Sequence, residues 1–162
     1  MNTAYLLTGG NIGDRKQNLE DAAAALAKEA GNVTALSGIY ETAAWGKTDQ
    51  PSFLNQCVGI ETSLAPMDLL HIIMGIEKKM GRYREEKYGP RIIDIDILLY
   101  NGDIIDEPSL QIPHPQLVNR RFALAPLAEI ASTVIHPVFN KTISELLFEC
   151  KDVLPVKKLE NW

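Results

Sequence analysis

Two kinds of hydrophobic spacing alternate along the first hundred residues, and their order limits the folds open to this chain. Short apolar runs typical of strands start the sequence and return between two stretches with helical spacing. The predicted strands are 4–8, 33–40, 54–64 and 92–100. The first helix is predicted to start at Asp14, an N-cap with Gln17 in capping-box position, and the second at Pro66. The order is therefore strand, helix, strand, strand, helix, strand.

This order predicts an α+β fold of the ferredoxin-like type, a βαββαβ core whose antiparallel sheet has helices packed on it. C-terminal additions are expected beyond residue 100. Asn101-Gly102 indicates a hairpin turn with a returning strand at 103–105. Helices are predicted at 122–130 and after Thr142, which opens a capping box with Glu145, and 155–162 is either an edge strand or loose. A length of 162 residues predicts one domain, 1–162.

Composition excludes several classes of function. The net charge of −5 argues against a general affinity for nucleic acid or anionic membranes. There is no apolar run of about 18 residues that could span a membrane. Cys57 and Cys150 are interpreted as core thiols in a reducing compartment, because two cysteines do not make a disulfide scaffold. We expect a cytoplasmic protein.

Two carboxylates in the last core strand carry the clearest chemical signal. Asp94 and Asp96 stand two residues apart, so both should project from one face with Cα atoms roughly 7 Å apart. Ile93, Ile95 and Ile97 should face the core. Neighbouring carboxylates repel each other unless a cation lies between them, and oxygen ligands suit Mg²⁺. The alternative is a solvated acidic face on an edge strand.

A basic loop directly precedes this strand in an otherwise acidic chain. Four cationic side chains fall within ten residues: Arg82, Arg84, Lys87 and Arg91. Guanidinium groups bind phosphate oxygens in a bidentate manner, so a metal site beside such arginines is suited to phosphoryl transfer. The loop could close over a triphosphate, with Gly81 as a hinge. The alternative is a surface loop whose charges pair with its own glutamates.

The sequence at 87–98, Lys-Tyr-Gly-Pro-Arg-Ile-Ile-Asp-Ile-Asp-Ile-Leu, resembles the signature of the 6-hydroxymethyl-7,8-dihydropterin pyrophosphokinases. The resemblance covers nearly the whole chain and includes 9–14, 40–42, 49–51, 53–55, 112–114 and 119–122. It implies an ATP-dependent diphosphotransferase of folate biosynthesis. Such an enzyme transfers pyrophosphate from ATP to the pterin alcohol, releases AMP and uses two Mg²⁺ ions. The implied partners are the pterin and ATP, without nucleic acid or a membrane, and the implied state is a monomer.

The resemblance also implies site residues. The catalytic residues would be Arg82, Arg91, Asp94 and Asp96, and both aspartates would hold the metal. The ATP site would contain Glu77, Arg82, Arg84, Arg91, Ile97, His114 and Arg120. The pterin site would contain Thr42, Trp45, Phe53, Asn55 and Phe122. In this site the two phenylalanines would sandwich the ring, and Asn55 would hydrogen-bond it.

The chain departs from the family pattern mainly where adenosine contacts are expected. The departures are Met74, Tyr88, Ser109, Gln111 and Pro115, and Phe53 lacks a hydroxyl that some relatives have. Two other functions remain open from the residues alone. A nucleotidyltransferase also uses an Asp-x-Asp pair with two metals and would release pyrophosphate rather than AMP. A ferredoxin-like domain can also bind RNA, although acidic residues on the sheet argue against it.

Overall fold

The computed structural model describes residues 1–43, 50–81 and 92–160. Its elements, in chain order, are β1 (Asn2–Gly10), α1 (Arg15–Glu29), β2 (Asn32–Leu36), β3 (Tyr40–Thr42), β4 (Phe53–Thr62), α2 (Pro66–Lys79), β5 (Asp94–Tyr100), β6 (Ile105–Glu107), β7 (Leu110–Ile112), α3 (Arg121–Ala131), α4 (Ile143–Glu149) and β8 (Val156–Lys158). A short 3₁₀ turn at Leu117–Asn119 precedes α3.

The main sheet confirms the predicted ferredoxin-like core. Its strands run in the order β5-β1-β4-β3-β8, β2 also pairs with β4, and all the pairings are antiparallel. The strand β4 is central because it is long enough to pair with β1 on one side and with both β2 and β3 on the other. The strand β5 lies at one edge of the described sheet.

Hydrophobic cores form on both faces of the sheet. One core packs the sheet against α1 and α2 and includes Leu26, Ile73 and Ile95; we call it the α1/α2 core. The other packs the sheet against α3 and α4 and includes Leu98 and Leu124; we call it the α3/α4 core. The C-terminal additions therefore cover the sheet face that the ferredoxin-like helices leave open.

The predicted helix starts are observed, with one difference. The Asp14 side chain accepts the Gln17 backbone N–H at 3.2 Å, as an N-cap should. The Gln17 side chain bonds Asp21 rather than returning to the cap. Thr142 and Glu145 form the complete capping box predicted for α4.

The predicted second strand, 33–40, is divided in the structure into β2 and β3. Between them, the Ser37 backbone N–H still donates to the Cys57 carbonyl oxygen at 3.0 Å, and side chains make further bonds with β4. The Ser37 hydroxyl oxygen accepts the Cys57 backbone N–H at 2.9 Å, and the Gln56 side chain donates to the Ser37 carbonyl oxygen at 2.9 Å. The ladder is interrupted because these polar side chains occupy positions that backbone groups hold elsewhere.

The predicted hairpin after β5 is wrong, although its turn is present. Asn101 adopts a positive φ of 49°, as a turn residue of this type does. The returning segment does not pair with β5. Instead, β6 pairs with β7 in a separate two-stranded sheet, where Ile105 lies opposite Ile112. The segment after the turn therefore adds no strand to the β5 edge of the described sheet.

Two smaller expectations concern the C-terminal region. The chain end does add an edge strand, β8, which pairs with β3. Cys57 is a buried thiol as expected, whereas Cys150 is only partly buried. Within the described residues, no helix combines the length and apolar character needed to cross a membrane.

Candidate active site

Two predicted site residues and the glycine between them lie in one row across neighbouring strands. Gly9 of β1 pairs with Asn55 of β4 on one side and with Asp94 of β5 on the other. Neighbouring strands are about 4.8 Å apart, so roughly 10 Å separates the Asn55 and Asp94 backbones. A Cβ atom built on Gly9 would overlap the side-chain oxygen of Asn55. The row therefore has only backbone at Gly9, between the polar side chains of Asn55 and Asp94.

The carboxylates lie on the sheet face opposite α1 and α2. Ile95 and Ile97 belong to the α1/α2 core, and Asp94 and Asp96 alternate with them. A β-bulge follows, because Ile97 pairs with Leu6 and Leu99 with Tyr5, which leaves Leu98 as an extra residue. The predicted orientation of the aspartates and isoleucines is confirmed.

The positions of β4 predicted to bind the pterin share this face. Cys57 belongs to the α3/α4 core, and Phe53 and Asn55 precede it by four and two residues in the same strand. Thr42 lies directly opposite Phe53. The Thr42 hydroxyl donates to the Pro155 carbonyl oxygen at 3.1 Å. This hydroxyl is thus bonded to the C-terminal segment.

A cavity of about 710 Å³ runs along the edge of β5, between α2 and the β6–β7 hairpin. Several residues predicted for ATP or metal line it: Glu77, Asp94, Asp96, Ile97 and His114. Met67, Leu70 and Met74 of α2 form an apolar wall opposite Ser109 and Gln111 of the hairpin segment. The side chain of Met74 is half exposed to this space rather than packed in the core. An apolar wall with few polar groups is typical of a site for a flat ring.

Glu77 has a structural contact that the sequence did not reveal. Its carboxylate accepts the Ile95 backbone N–H at 2.8 Å, and the residue is 6% exposed. Ile95 lies between the two aspartates, on the strand that has no neighbour on its outer side in the described sheet. Glu77 therefore replaces a missing strand partner and holds the backbone that carries both carboxylates.

His114 enters the cavity as a neutral ring. It follows the cis Ile112–Pro113 peptide bond, and its backbone N–H donates to the Leu98 carbonyl oxygen at 3.0 Å. Burial lowers the pKa of His114 to about 4, the charge of Arg120 acts in the same direction, and Asp94 opposes them. Its Nδ1 atom accepts the Gln116 backbone N–H at 3.1 Å, so the ring proton lies on Nε2. The ring can donate one hydrogen bond from Nε2.

Arg120 connects the two halves of the site. Its guanidinium carbon lies 5.7 Å from the ring centroid of Phe122, a cation–π distance, and its charge acts on His114 in the cavity. Arg120 also precedes the first residue of α3. The start of this helix therefore brings a predicted pterin contact next to a predicted ATP contact.

Several predicted site residues lie outside the described residues. They are Trp45, Arg82, Arg84 and Arg91, and the departure at Tyr88 lies there too. The lid hypothesis for the basic loop remains a prediction. His71 of α2 is exposed and lines the cavity. Across the described parts of the chain, no group of three or more His, Cys, Asp or Glu side chains is placed to hold a metal ion.

Comparison with known proteins connects this geometry to a family. Residues 5–132 match the family model described as 7,8-dihydro-6-hydroxymethylpterin-pyrophosphokinase (HPPK). Two relatives carry the name 2-amino-4-hydroxy-6-hydroxymethyldihydropteridine pyrophosphokinase. The one from Bacillus subtilis (strain 168) is 48% identical over 134 residues, which cover 82% of this chain and 80% of the relative. The one from Methylorubrum extorquens is 44% identical over 148 residues, which cover 91% and 92%.

The fold is also similar to solved structures. A Plasmodium falciparum HPPK-DHPS chain, crystallised with pterin and p-hydroxybenzoate, superposes with a TM-score of 0.74 at 20% identity. The match covers 91% of this chain and 43% of the Plasmodium chain, so our chain spans less than half of that longer protein. At this identity the likeness shows the fold alone. The family match and the identities to whole relatives show that the chain belongs to the 7,8-dihydro-6-hydroxymethylpterin pyrophosphokinase family.

Proposed function

We propose that the chain carries out its family's reaction over the row that joins Asn55, Gly9 and Asp94. In that reaction, pyrophosphate passes from ATP to 6-hydroxymethyl-7,8-dihydropterin and AMP is released, a step of folate biosynthesis. The row supports the proposal because it places a ring-binding amide and a carboxylate on one sheet face with only glycine between them. A pterin at Asn55 would direct its hydroxymethyl group toward the aspartates.

The pterin half would recognise a flat ring by its faces and its edge. Phe53 and Phe122 would cover the faces, and the Asn55 amide would bond the rim. Asn55 is 5% exposed, so its amide is held in place before the ligand arrives. Thr42 would contribute its backbone, and Trp45 is proposed to do the same from outside the described residues.

The ATP half would be the cavity along β5. The apolar wall of α2 would contact the base, and Ile97 would lie beneath the nucleotide. His114 would donate from Nε2 to a phosphate oxygen without adding positive charge, because its low pKa keeps the ring neutral. Arg120 would neutralise phosphate charge and, with its stacking on Phe122, keep the two ligands in one orientation.

Asp94 and Asp96 fit a magnesium site of a particular kind. Two carboxylates on one strand face are oxygen ligands, and the described residues offer no third acidic or histidine ligand beside them. Magnesium bound by one or two carboxylates takes its other ligands from water and phosphate, so this donor set suits Mg²⁺ that arrives with ATP. The bound metal would supply charge neutralisation on the phosphates and would lower the pKa of a nearby hydroxyl.

The basic loop would complete the site. Arg82, Arg84 and Arg91 are proposed to bind the triphosphate and to stabilise the negative charge that develops on it, with Arg82 and Arg91 as catalytic residues. We further propose that one domain, 1–162, acts as a cytoplasmic monomer that binds neither nucleic acid nor membranes. The net charge of −5 and the two unpaired thiols support this proposal. Light scattering measures the oligomeric state directly.

A pair of variants tests the two halves separately. Asp96→Asn should reduce turnover by more than about a hundredfold and weaken Mg-dependent ATP binding, while pterin affinity in the absence of nucleotide stays within about twofold. Asn55→Ala should weaken pterin binding about tenfold or more and leave Mg·ATP affinity unchanged. Calorimetric titration gives both affinities, and nucleotide chromatography gives the AMP formed. Near-normal turnover of Asp96→Asn at saturating Mg²⁺ would refute the metal assignment.

A further inference from the structure

The glycine-rich segment between β1 and α1 contacts the residues that lead into β4. Asn11, which is 2% exposed, donates from its side chain to the Gln50 side-chain oxygen at 2.8 Å and to the Pro51 carbonyl oxygen at 3.0 Å. This segment holds three glycines, Gly9, Gly10 and Gly13, and none of the roles proposed above involves Asn11. Its buried side chain instead fixes the chain just before Phe53.

Arg15, the first residue of α1, makes a second and denser connection. Its Nη1 atom donates to Glu41 Oε2 at 3.1 Å, to Ser52 Oγ at 3.0 Å and to the Ser52 carbonyl oxygen at 3.1 Å. The Ser52 hydroxyl donates to the same Glu41 oxygen at 2.8 Å. The hydrogen bond from Ser52 and the charge of Arg15 lower the pKa of Glu41, so the carboxylate is charged at neutral pH. We call these three residues the Arg15 cluster.

The Arg15 cluster lies directly behind two proposed pterin contacts. Glu41 precedes Thr42, Ser52 precedes Phe53, and Thr42 pairs with Phe53 as the last pair of the β3–β4 ladder. Because side chains alternate along a strand, Glu41 projects to the α1 side, while Thr42 projects to the opposite side. The cluster thus connects the two strand ends from the face that the pterin does not use.

We propose that Arg15 is a positioning residue for the pterin. By holding Glu41 and Ser52 together, it sets the separation of Thr42 and Phe53 at the end of the described β3–β4 ladder. Asn11 supports the same segment from the neighbouring turn. This inference rests on the pterin site proposed above.

The expected sizes of the effects on pterin binding and on folding stability distinguish a positioning role from a stabilising one. The side chains of Arg15 and Glu41 are 33% and 34% exposed, and ion pairs of this exposure add little to folding stability. Positional errors matter much more for function, since a shift of about 1 Å in a binding contact can reduce a rate about a hundredfold. Loss of the cluster should therefore appear in pterin recognition rather than in the melting temperature.

Arg15→Ala should raise the pterin Kd and the pterin KM about five- to tenfold. The KM for ATP should stay within about twofold, and the melting temperature within about 2 °C. Ser52→Ala, which removes one hydroxyl, should change pterin affinity in the same direction by about threefold. Arg15→Lys should recover part of the affinity, because an ammonium group can still bond Glu41. The double variant Arg15→Ala/Glu41→Ala should bind the pterin no less tightly than the weaker-binding of the two single variants, Arg15→Ala and Glu41→Ala, because both remove the same interaction.

Lys141→Ala is the matched control. Lys141 forms an exposed ion pair with Glu149 at 2.7 Å near α4, and its removal should leave both KM values unchanged. Equal changes in the two KM values for Arg15→Ala would overturn the positioning role, as would a lower melting temperature with unchanged pterin affinity.

Phe53→Ala separates this inference from the pterin site on which it rests. If Phe53→Ala leaves pterin affinity intact, the pterin site itself is wrong, and the inference falls with it. If Phe53→Ala weakens binding and Arg15→Ala does not, only the role of Arg15 is refuted. If Arg15→Ala does not fold, the pterin affinities of Ser52→Ala and Arg15→Lys test the role of Arg15 in its place.

Discussion

Because Gly9 has no side chain, the proposed pterin and metal residues can lie in one row of the sheet. Gly9 pairs with both Asn55 and Asp94, and any Cβ there would displace the Asn55 amide. The position of the proposed pterin contact Asn55 therefore depends on this small residue. This requirement is steric, because the position next to the Asn55 side chain has no room for another atom.

Gly9→Ala should raise the pterin Kd about tenfold or more, because the added methyl group forces Asn55 out of its buried position. Binding of ATP in the cavity should change by less than about threefold. Gly75→Ala is the control, since a Cβ at that helix position has nothing within 4 Å. Calorimetric titrations of each ligand measure the effect, and an unchanged pterin Kd in Gly9→Ala would contradict it.

His136 should couple folding stability to pH. It is 3% exposed, and burial lowers its pKa below the ordinary value. Its Nδ1 atom accepts backbone N–H groups from Val138 and Phe139 at 3.2 and 3.3 Å, so protonation of Nδ1 would break both bonds. A lowered pKa in the folded state means that the stability is complete above the unfolded-state pKa. It is lost as the pH falls from about 6.5 through the folded-state pKa.

Urea denaturation at pH 7.5 and 5.5 tests this expectation. His136→Asn keeps a carbonyl oxygen that can accept the same N–H groups but does not titrate. Its free energy of unfolding should fall less between the two pH values than that of the natural chain. His114 contributes with the same sign in both proteins and cancels in the comparison. Identical pH slopes would show that His136 does not contribute.

Among the elements, the seven residues of β5 contribute to both hydrophobic cores and also carry the two aspartates. Its first half sends isoleucines into the α1/α2 core and aspartates to the opposite face. The bulge at Leu98 then shifts the alternation, so Leu98 and Leu99 both join the α3/α4 core and Tyr100 returns to the α1/α2 core. An edge strand of this kind needs an external hydrogen-bond partner, and Glu77 supplies one from α2.

Glu77→Leu should destabilise the fold by about 1–3 kcal/mol, because it leaves the buried Ile95 N–H without its acceptor. Turnover should fall further than stability explains, since Ile95 holds Asp94 and Asp96 in place. Glu77→Gln retains an acceptor oxygen and should lose much less of both. Denaturation and steady-state kinetics at saturating Mg·ATP compare the variants. A glutamine variant as impaired as the leucine variant would indicate that the charge, rather than the hydrogen bond, matters.

At the scale of the whole molecule, the C-terminal additions hold the strand end that carries Thr42, a proposed pterin contact. The strand β8 pairs with β3, and the Pro155 carbonyl oxygen accepts the Thr42 hydroxyl. Arg121 holds this segment against α3 by donating to the carbonyl oxygens of Cys150 and Asp152 at 2.8 and 3.2 Å. One side chain at the start of α3 therefore holds the segment that leads into β8, the strand that pairs with the one carrying Thr42.

Arg121→Ala should loosen the C-terminal segment and weaken pterin binding about threefold to tenfold, with ATP affinity unchanged. Hydrogen exchange of the β8 and β3 amides should become faster, because the segment loses two hydrogen bonds to α3. Lys151→Ala, an exposed change in the same segment, is the control. Exchange rates equal to those of the natural chain would contradict this connection.

Local patterns alone were sufficient for much of the fold. The alternation of Asp94 and Asp96 with isoleucines fixed their opposite faces, because strand geometry has a period of two wherever the strand pairs. The capping box at Thr142 located α4, because its hydrogen bonds involve only four consecutive residues. The signature at 87–98 indicated the family, since a long specific motif needs no knowledge of its spatial neighbours.

Contacts between distant residues needed the tertiary structure. Nothing near Gly9 in the sequence shows that it lies between Asn55 and Asp94, and nothing near Glu77 shows that its carboxylate accepts the Ile95 N–H. The same holds for β6, which pairs with β7 rather than returning along β5. Periodicity determines which face a side chain occupies, whereas the choice of partner depends on the packing of the whole chain. The sequence therefore determined most of the core elements and which faces their side chains occupy, and only the folded sheet decided which of them meet.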